Sequence, residues 1–81
     1  MRIDKFLNST NITKRRSIAQ DMLANKVVLI NDVVVKPSKN VDVGDIITIN
    51  YLESQKRYKV LALPQTKSTP KSLQHEYIEE L

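Results

Sequence analysis

Residues 26–37 read KVVLINDVVVKP, two β-branched runs (Val27-Val28 with Leu29-Ile30, then Val33 to Val35) on either side of Asn31-Asp32. Asn and Asp both tolerate left-handed backbone, so a two-residue connection between such runs predicts a tight hairpin. Pro37 lacks an amide for the ladder and either ends the second strand or sets it at an edge. This stretch divides the chain: upstream the apolar spacing is helical, and downstream it alternates.

Upstream, Ile3, Phe6 and Leu7 fall at i, i+3 and i+4, which predicts a short helix over residues 2–8 with Arg2 and Lys5 off the apolar stripe. The polar run NSTNIT (8–13) follows, and Thr13 is the expected cap of a second helix over residues 14–25. On that helix Ile18, Ala19, Met22 and Leu23 form an apolar arc, with Arg16 at its edge and Arg15 inside it. Three cations, Lys14, Arg15 and Arg16, then stand where the helix macrodipole is positive, each disfavoured by roughly 0.3–1 kcal/mol. A polyanion bound at this place would offset that cost.

Downstream, VDVGDIITINY (41–51) holds the single glycine, Gly44, before a strand that puts Ile47, Ile49 and Tyr51 on one face. After Glu53-Ser54-Gln55, KRYKVLAL (56–63) reads as its partner, with Tyr58, Val60 and Ala62 on one face. From Pro64 the chain is more polar. Leu73, Tyr77 and Leu81 recur every four residues and Thr69-Pro70 suits a helix start, so residues 63–81 fit a helix and a disordered tail equally well. The expected fold is α+β: two amino-terminal helices on a small, mostly antiparallel four-stranded sheet, with residues 1–62 forming the domain.

Composition narrows the function. The 81 residues carry a formal charge of +4 and no cysteine, which excludes disulfides, thiolate metal sites and cysteine nucleophiles. Apolar runs are far short of the roughly 20 residues of a membrane span, and MRIDKFL lacks the apolar centre of a signal peptide, so a cytoplasmic location without membrane contact is expected. Residues 1–40 hold eight Lys or Arg against three Asp, whereas residues 41–81 hold five against six acidic residues. The positive field belongs to the amino-terminal half. His75 is the only histidine, and Asp42 and Asp45 flank Gly44 as turn residues. One glycine cannot build a phosphate-cradling loop. No catalytic residue, metal, cofactor or small-molecule substrate is therefore expected, and the chain reads as a monomeric binding protein. Phe6, Tyr51 and Tyr58 have core or sheet spacing, so recognition should rest on the backbone charge and shape of a folded nucleic acid rather than on base stacking.

RIDKFL (2–7), KRRSIA (14–19), VLIND (28–32), VVKPS (34–38) and VGDII (43–47), in this order, resemble the S4-type RNA-binding domain over about residues 1–62. Because little else is present, the chain is most similar to stand-alone bacterial members of that family. The resemblance implies a non-enzymatic protein that binds the large ribosomal subunit, through 23S rRNA and tRNA, and steadies P-site peptidyl-tRNA on stalled subunits in ribosome quality control. It also implies RNA contacts at Arg2, Lys5, Arg15 and Arg16, and further ones at Lys14 and Lys36, with Asp4 orienting an arginine or capping the first helix. Other readings are a heat-shock-type factor for free large subunits carrying nascent chains, a protein-interaction module using the basic face, and a separate subunit of an RNA-modifying enzyme. Against the family pattern, Lys26 and Asp32 occupy positions that usually hold glycine. Asn25 is then the expected left-handed residue after the second helix.

Overall fold

A computed structural model of the chain describes residues 1–65 and 71–81. Helices α1 (Ile3–Ser9) and α2 (Arg16–Ala24) pack together on one face of an antiparallel sheet. Its strands are β1 (Val28–Ile30), β2 (Val33–Val34), β3 (Ile46–Asn50), β4 (Gln55–Val60) and β5 (Ile78–Glu80), in the order β2-β1-β3-β4-β5. The expected α+β fold stands, with five strands in place of four.

The core follows from the two periodicities. Ile3, Phe6 and Leu7 are fully buried, as their spacing requires. They meet a sheet face on which Val28 pairs with Ile49, Ile30 and Tyr58 with Ile47, and Val60 with Ile78. Each such side chain contributes roughly 1.5–3 kcal/mol by leaving water. Tyr51 lies beyond the end of β3 and is exposed, and Ala62 lies beyond β4, so only part of each expected face is used.

The β1–β2 turn is the expected hairpin, with φ of 51° at Asn31 and 67° at Asp32, the signature of a type I′ turn. Asn31 also ties this turn to the start of β3: its Oδ1 accepts from the Ile46 amide (3.0 Å) and its Nδ2 donates to Asp45 Oδ1 (3.1 Å). Gly44 has a φ of 94°, and its amide donates to the Val60 carbonyl at 2.8 Å.

Several local expectations need correction. Helix α2 begins at Arg16, with Arg15 extended (φ −136°), so Lys14 and Arg15 precede the helix. Thr13 is not its cap: the Thr13 hydroxyl donates to the Arg15 carbonyl (3.2 Å) instead of accepting from a helix amide. The buried stripe is narrower than the expected arc: Ala19 and Leu23 face the core, Met22 is half-buried, and Ile18 is 42% exposed. At the other end Asn25 has a φ of −82° and Lys26 takes the left-handed position at 61°. The Lys26 amide donates to the Leu23 carbonyl (3.1 Å) and the Val27 amide to that of Met22 (3.3 Å), which is a Schellman close.

Among the described tail residues, a 3₁₀ turn (Lys71–Glu76) leads into β5, which pairs with β4 as Val60 with Ile78 and Tyr58 with Glu80. The Gln74 carboxamide donates to the Thr10 carbonyl at 2.6 Å, fastening this segment to the end of α1. The Thr69-Pro70 helix start lies outside the described residues.

Candidate nucleic-acid interface

The first turn of α1 is sewn to the loop after β2. The Ile3 amide donates to the Lys39 carbonyl (2.7 Å), the Asp4 amide to that of Pro37 (3.4 Å) and the Val41 amide to that of Met1 (2.8 Å), while Arg2 and Asn40 form an antiparallel bridge. Loop carbonyls thereby occupy amides that a short helix leaves unpaired. This anchoring fixes the position of Asp4.

Asp4 is the centre of the site. Its Oδ1 accepts from the Lys5 amide at 2.8 Å. Its Oδ2 accepts from Arg2 Nη2 (3.2 Å), from Arg16 Nε and Nη2 (3.3 Å each) and from Gln20 Nε2 (3.2 Å). The carboxylate has no exposed surface, yet Arg2 and Arg16 above it are 48% and 47% exposed, so it lies one side chain deep. Burial pushes the Asp4 carboxyl up, but hydrogen bonds from Gln20, the Lys5 amide and Arg16, together with the Arg16 charge, outweigh this and hold it below its ordinary 3.8. It is therefore ionised at neutral pH.

One carboxylate thus holds two guanidinium groups, one from the residue preceding α1 and one from the first turn of α2. Two cations against one anion leave a net positive charge, and each half-exposed guanidinium keeps donors for an outside acceptor. An arrangement of this kind is built to present charge in a fixed geometry, which suits bidentate contact with phosphate.

The remaining cations are distributed around this pair. Lys5 is exposed on α1 directly after Asp4, and Lys14 and Arg15 are exposed on the extended segment before α2. Lys36 is also exposed but stands apart, beside the end of α2. Among the described residues none of these four is ion-paired, and no side chain caps the amino end of α2. No helix among them is long and apolar enough to cross a membrane, and no group of potential ligands could hold a metal ion.

Sequence reasoning missed Gln20. Its signal is that it lies four residues after Arg16, so both point to the same side of α2.

The model of the S4 domain matches residues 1–47, more than half of the chain. The chain belongs to the S4 domain family. It is 44% identical over 78 residues to a RQC P-site tRNA stabilizing factor of Helicobacter pylori, a match covering 96% of this chain and 93% of that protein. The trimeric structure of Vibrio cholerae Heat Shock Protein 15 superposes with a TM-score of 0.90 at 26% identity, covering 100% of this chain and 81% of that one. The solution structure of the hypothetical protein HP1423 gives a TM-score of 0.86 at 41% identity, covering 100% and 96%. These matches extend over the described tail as well as over residues 1–47. The two-helix surface that holds Arg2, Asp4 and Arg16 lies wholly inside the residues matched to the family.

Proposed function

We propose that this S4 protein is a non-enzymatic, cytoplasmic RNA-binding factor that acts as a monomer on the large ribosomal subunit. There it binds 23S rRNA and tRNA and stabilises P-site peptidyl-tRNA on stalled subunits during ribosome quality control. The observation that carries this reading is the Asp4-held pair of Arg2 and Arg16, flanked by Lys5, Lys14 and Arg15, which have no ion pair among the described residues. A fixed cationic surface without a catalytic group does the work of a clamp: it neutralises phosphates on two neighbouring RNA segments and so holds them in register.

The relatives support the specific assignment. The stabilizing factor shares more identity with this chain than the heat-shock protein does, 44% against 26%. The heat-shock protein also extends further beyond the match, since this chain covers 81% of it.

The test is co-sedimentation with purified large subunits carrying peptidyl-tRNA, compared with vacant subunits. Retention on the tRNA-bearing subunits, reduced at least tenfold by Arg16→Ala, is the expected result. Equal retention of wild type and variant, or indifference to peptidyl-tRNA, would overturn the assignment.

A further inference from the structure

The end of α2 holds a conformation that its residue disfavours. Lys26 occupies the left-handed position of the Schellman close, with φ of 61°, where glycine would fit without strain. A non-glycine residue kept in such backbone marks a place to look for function. The Lys26 side chain is exposed and has no ion pair among the described residues.

Beside it runs a groove of about 280 Å³ between the end of α2 and β2. Leu23, Ala24, Val34 and Pro37 make a hydrocarbon lining, and Lys26 and Lys36 supply its charge. The groove does not touch the arginine pair but shares two chain segments with it. The Pro37 carbonyl accepts from the Asp4 amide (3.4 Å), and Gln20, which donates to Asp4, lies one helical turn before Ala24 on α2. A ligand lying along α2 would meet Arg16, then Gln20, then this groove.

We infer that the groove is a nucleotide subsite: Lys26 and Lys36 each hold a phosphate, and the unstacked base or ribose between them lies on Leu23, Ala24, Val34 and Pro37. The pairing of two cations with a hydrocarbon lining fits a nucleotide, which is anionic at one end and flat and apolar-faced at the other. Arg16 and Ala24 stand at the two ends of α2, about 12 Å apart along its axis, a span that one RNA strand covers, so the nucleotide belongs to the same RNA rather than to a separate ligand. The subsite rests on the RNA-binding reading and extends it from a point of phosphate contact to a strand-length track.

The experiment uses the full chain with bulk tRNA and large-subunit rRNA carrying 4-thiouridine, cross-linked by near-ultraviolet light and mapped by mass spectrometry. It is run beside salt-dependent binding of wild type, Lys26→Gly, Lys36→Ala and Arg16→Ala. Lys26→Gly relieves the backbone, so loss of folding will not obscure the result, and an unchanged or higher melting temperature confirms that. The subsite predicts cross-links within residues 23–37. It also predicts a five- to tenfold loss of affinity in Lys26→Gly and in Lys36→Ala, with a salt slope shallower by roughly 0.7–0.9 for each. Wild-type affinity in both lysine variants while Arg16→Ala is impaired would overturn the subsite and leave the RNA-binding reading standing. Cross-links confined to residues 1–20 would do the same. A wild-type chain that binds neither RNA, including one that binds an acidic peptide instead, would overturn both.

Discussion

Arg16 reaches Asp4 across twelve positions of sequence, and both its Nε and Nη2 lie 3.3 Å from one carboxylate oxygen. The contact joins the first turn of α2 to the first turn of α1. It also changes the meaning of the cations before α2. Only Arg16 stands inside the helix, and its charge is met by Asp4, while Lys14 and Arg15 lie outside on extended chain. Of the three cations near the positive end of the dipole, the one inside the helix is compensated by Asp4, while Lys14 and the N-cap residue Arg15 are free to turn outward on extended chain.

Asp4→Ala should destabilise the fold by about 1–3 kcal/mol, because it removes a carboxylate that accepts several charge-assisted bonds. The same change releases both guanidinium groups, so RNA affinity should fall although net positive charge rises. Urea unfolding and tRNA binding on the same samples check the pair of effects. A gain in affinity in step with the added charge would show that geometry does not matter here.

The acid limb of stability follows from the same carboxylate. Its folded value lies below the ordinary 3.8, so the unfolded chain takes up the proton first. The stabilisation from Asp4 is present above about pH 5 and is lost as pH falls through 3.8 towards the lower folded value. Urea midpoints of wild type and Asp4→Asn should converge over that range. On the alkaline side, burial, with smaller contributions from Tyr51 and Glu80, pushes the Tyr58 phenol up to about 12. The unfolded phenol ionises near 10, so stability should decline as pH rises from about 10 through 12.

Backbone strain gives opposite expectations at two positions. Lys26→Gly should raise stability by about 0.5–1 kcal/mol, since it removes the left-handed penalty and loses only part of that gain to a more flexible unfolded chain. Gly44→Ala should lower it by about 1–2 kcal/mol, because φ is 94° there and the penalty is purely conformational, with no atom within 4 Å of an added methyl. Thermal unfolding of both variants tests the contrast.

The tail segment is structural. Ile78 is 5% exposed and pairs with Val60 on the core face, so Ile78→Ala should cost about 2–4 kcal/mol, as for other buried aliphatic truncations. A change below 0.5 kcal/mol in urea unfolding would mean that β5 does not hold the sheet edge.

Much of this fold is legible in the sequence where patterns are long or chemically specific. Ile3, Phe6 and Leu7 announce α1, and Asn31-Asp32 between valine runs announces the hairpin. The fifth strand is hidden because IEE offers a single apolar residue, and an edge strand needs no more than one inward contact. The helix wheel puts Ile18 at the rim of the apolar arc, and the buried stripe is narrower than that arc, centred on Ala19 and Leu23, so Ile18 in the first turn stays 42% exposed. For the site, charge marks Arg2 and Arg16 and the family resemblance implies that Asp4 orients an arginine, as it does, but nothing local shows that Asp4 would hold both arginines or that Gln20 would join them. That depends on how two helices cross, which is tertiary information.

The most direct test of the central claim is the dependence on salt of large-subunit binding by wild type and by Arg2→Ala/Arg16→Ala. If the Asp4-held pair grips RNA phosphate, affinity falls steeply with salt, and the double variant loses roughly 1.4–1.8 from the log–log slope while keeping a cooperative unfolding transition. A double variant with wild-type slope and affinity would contradict it.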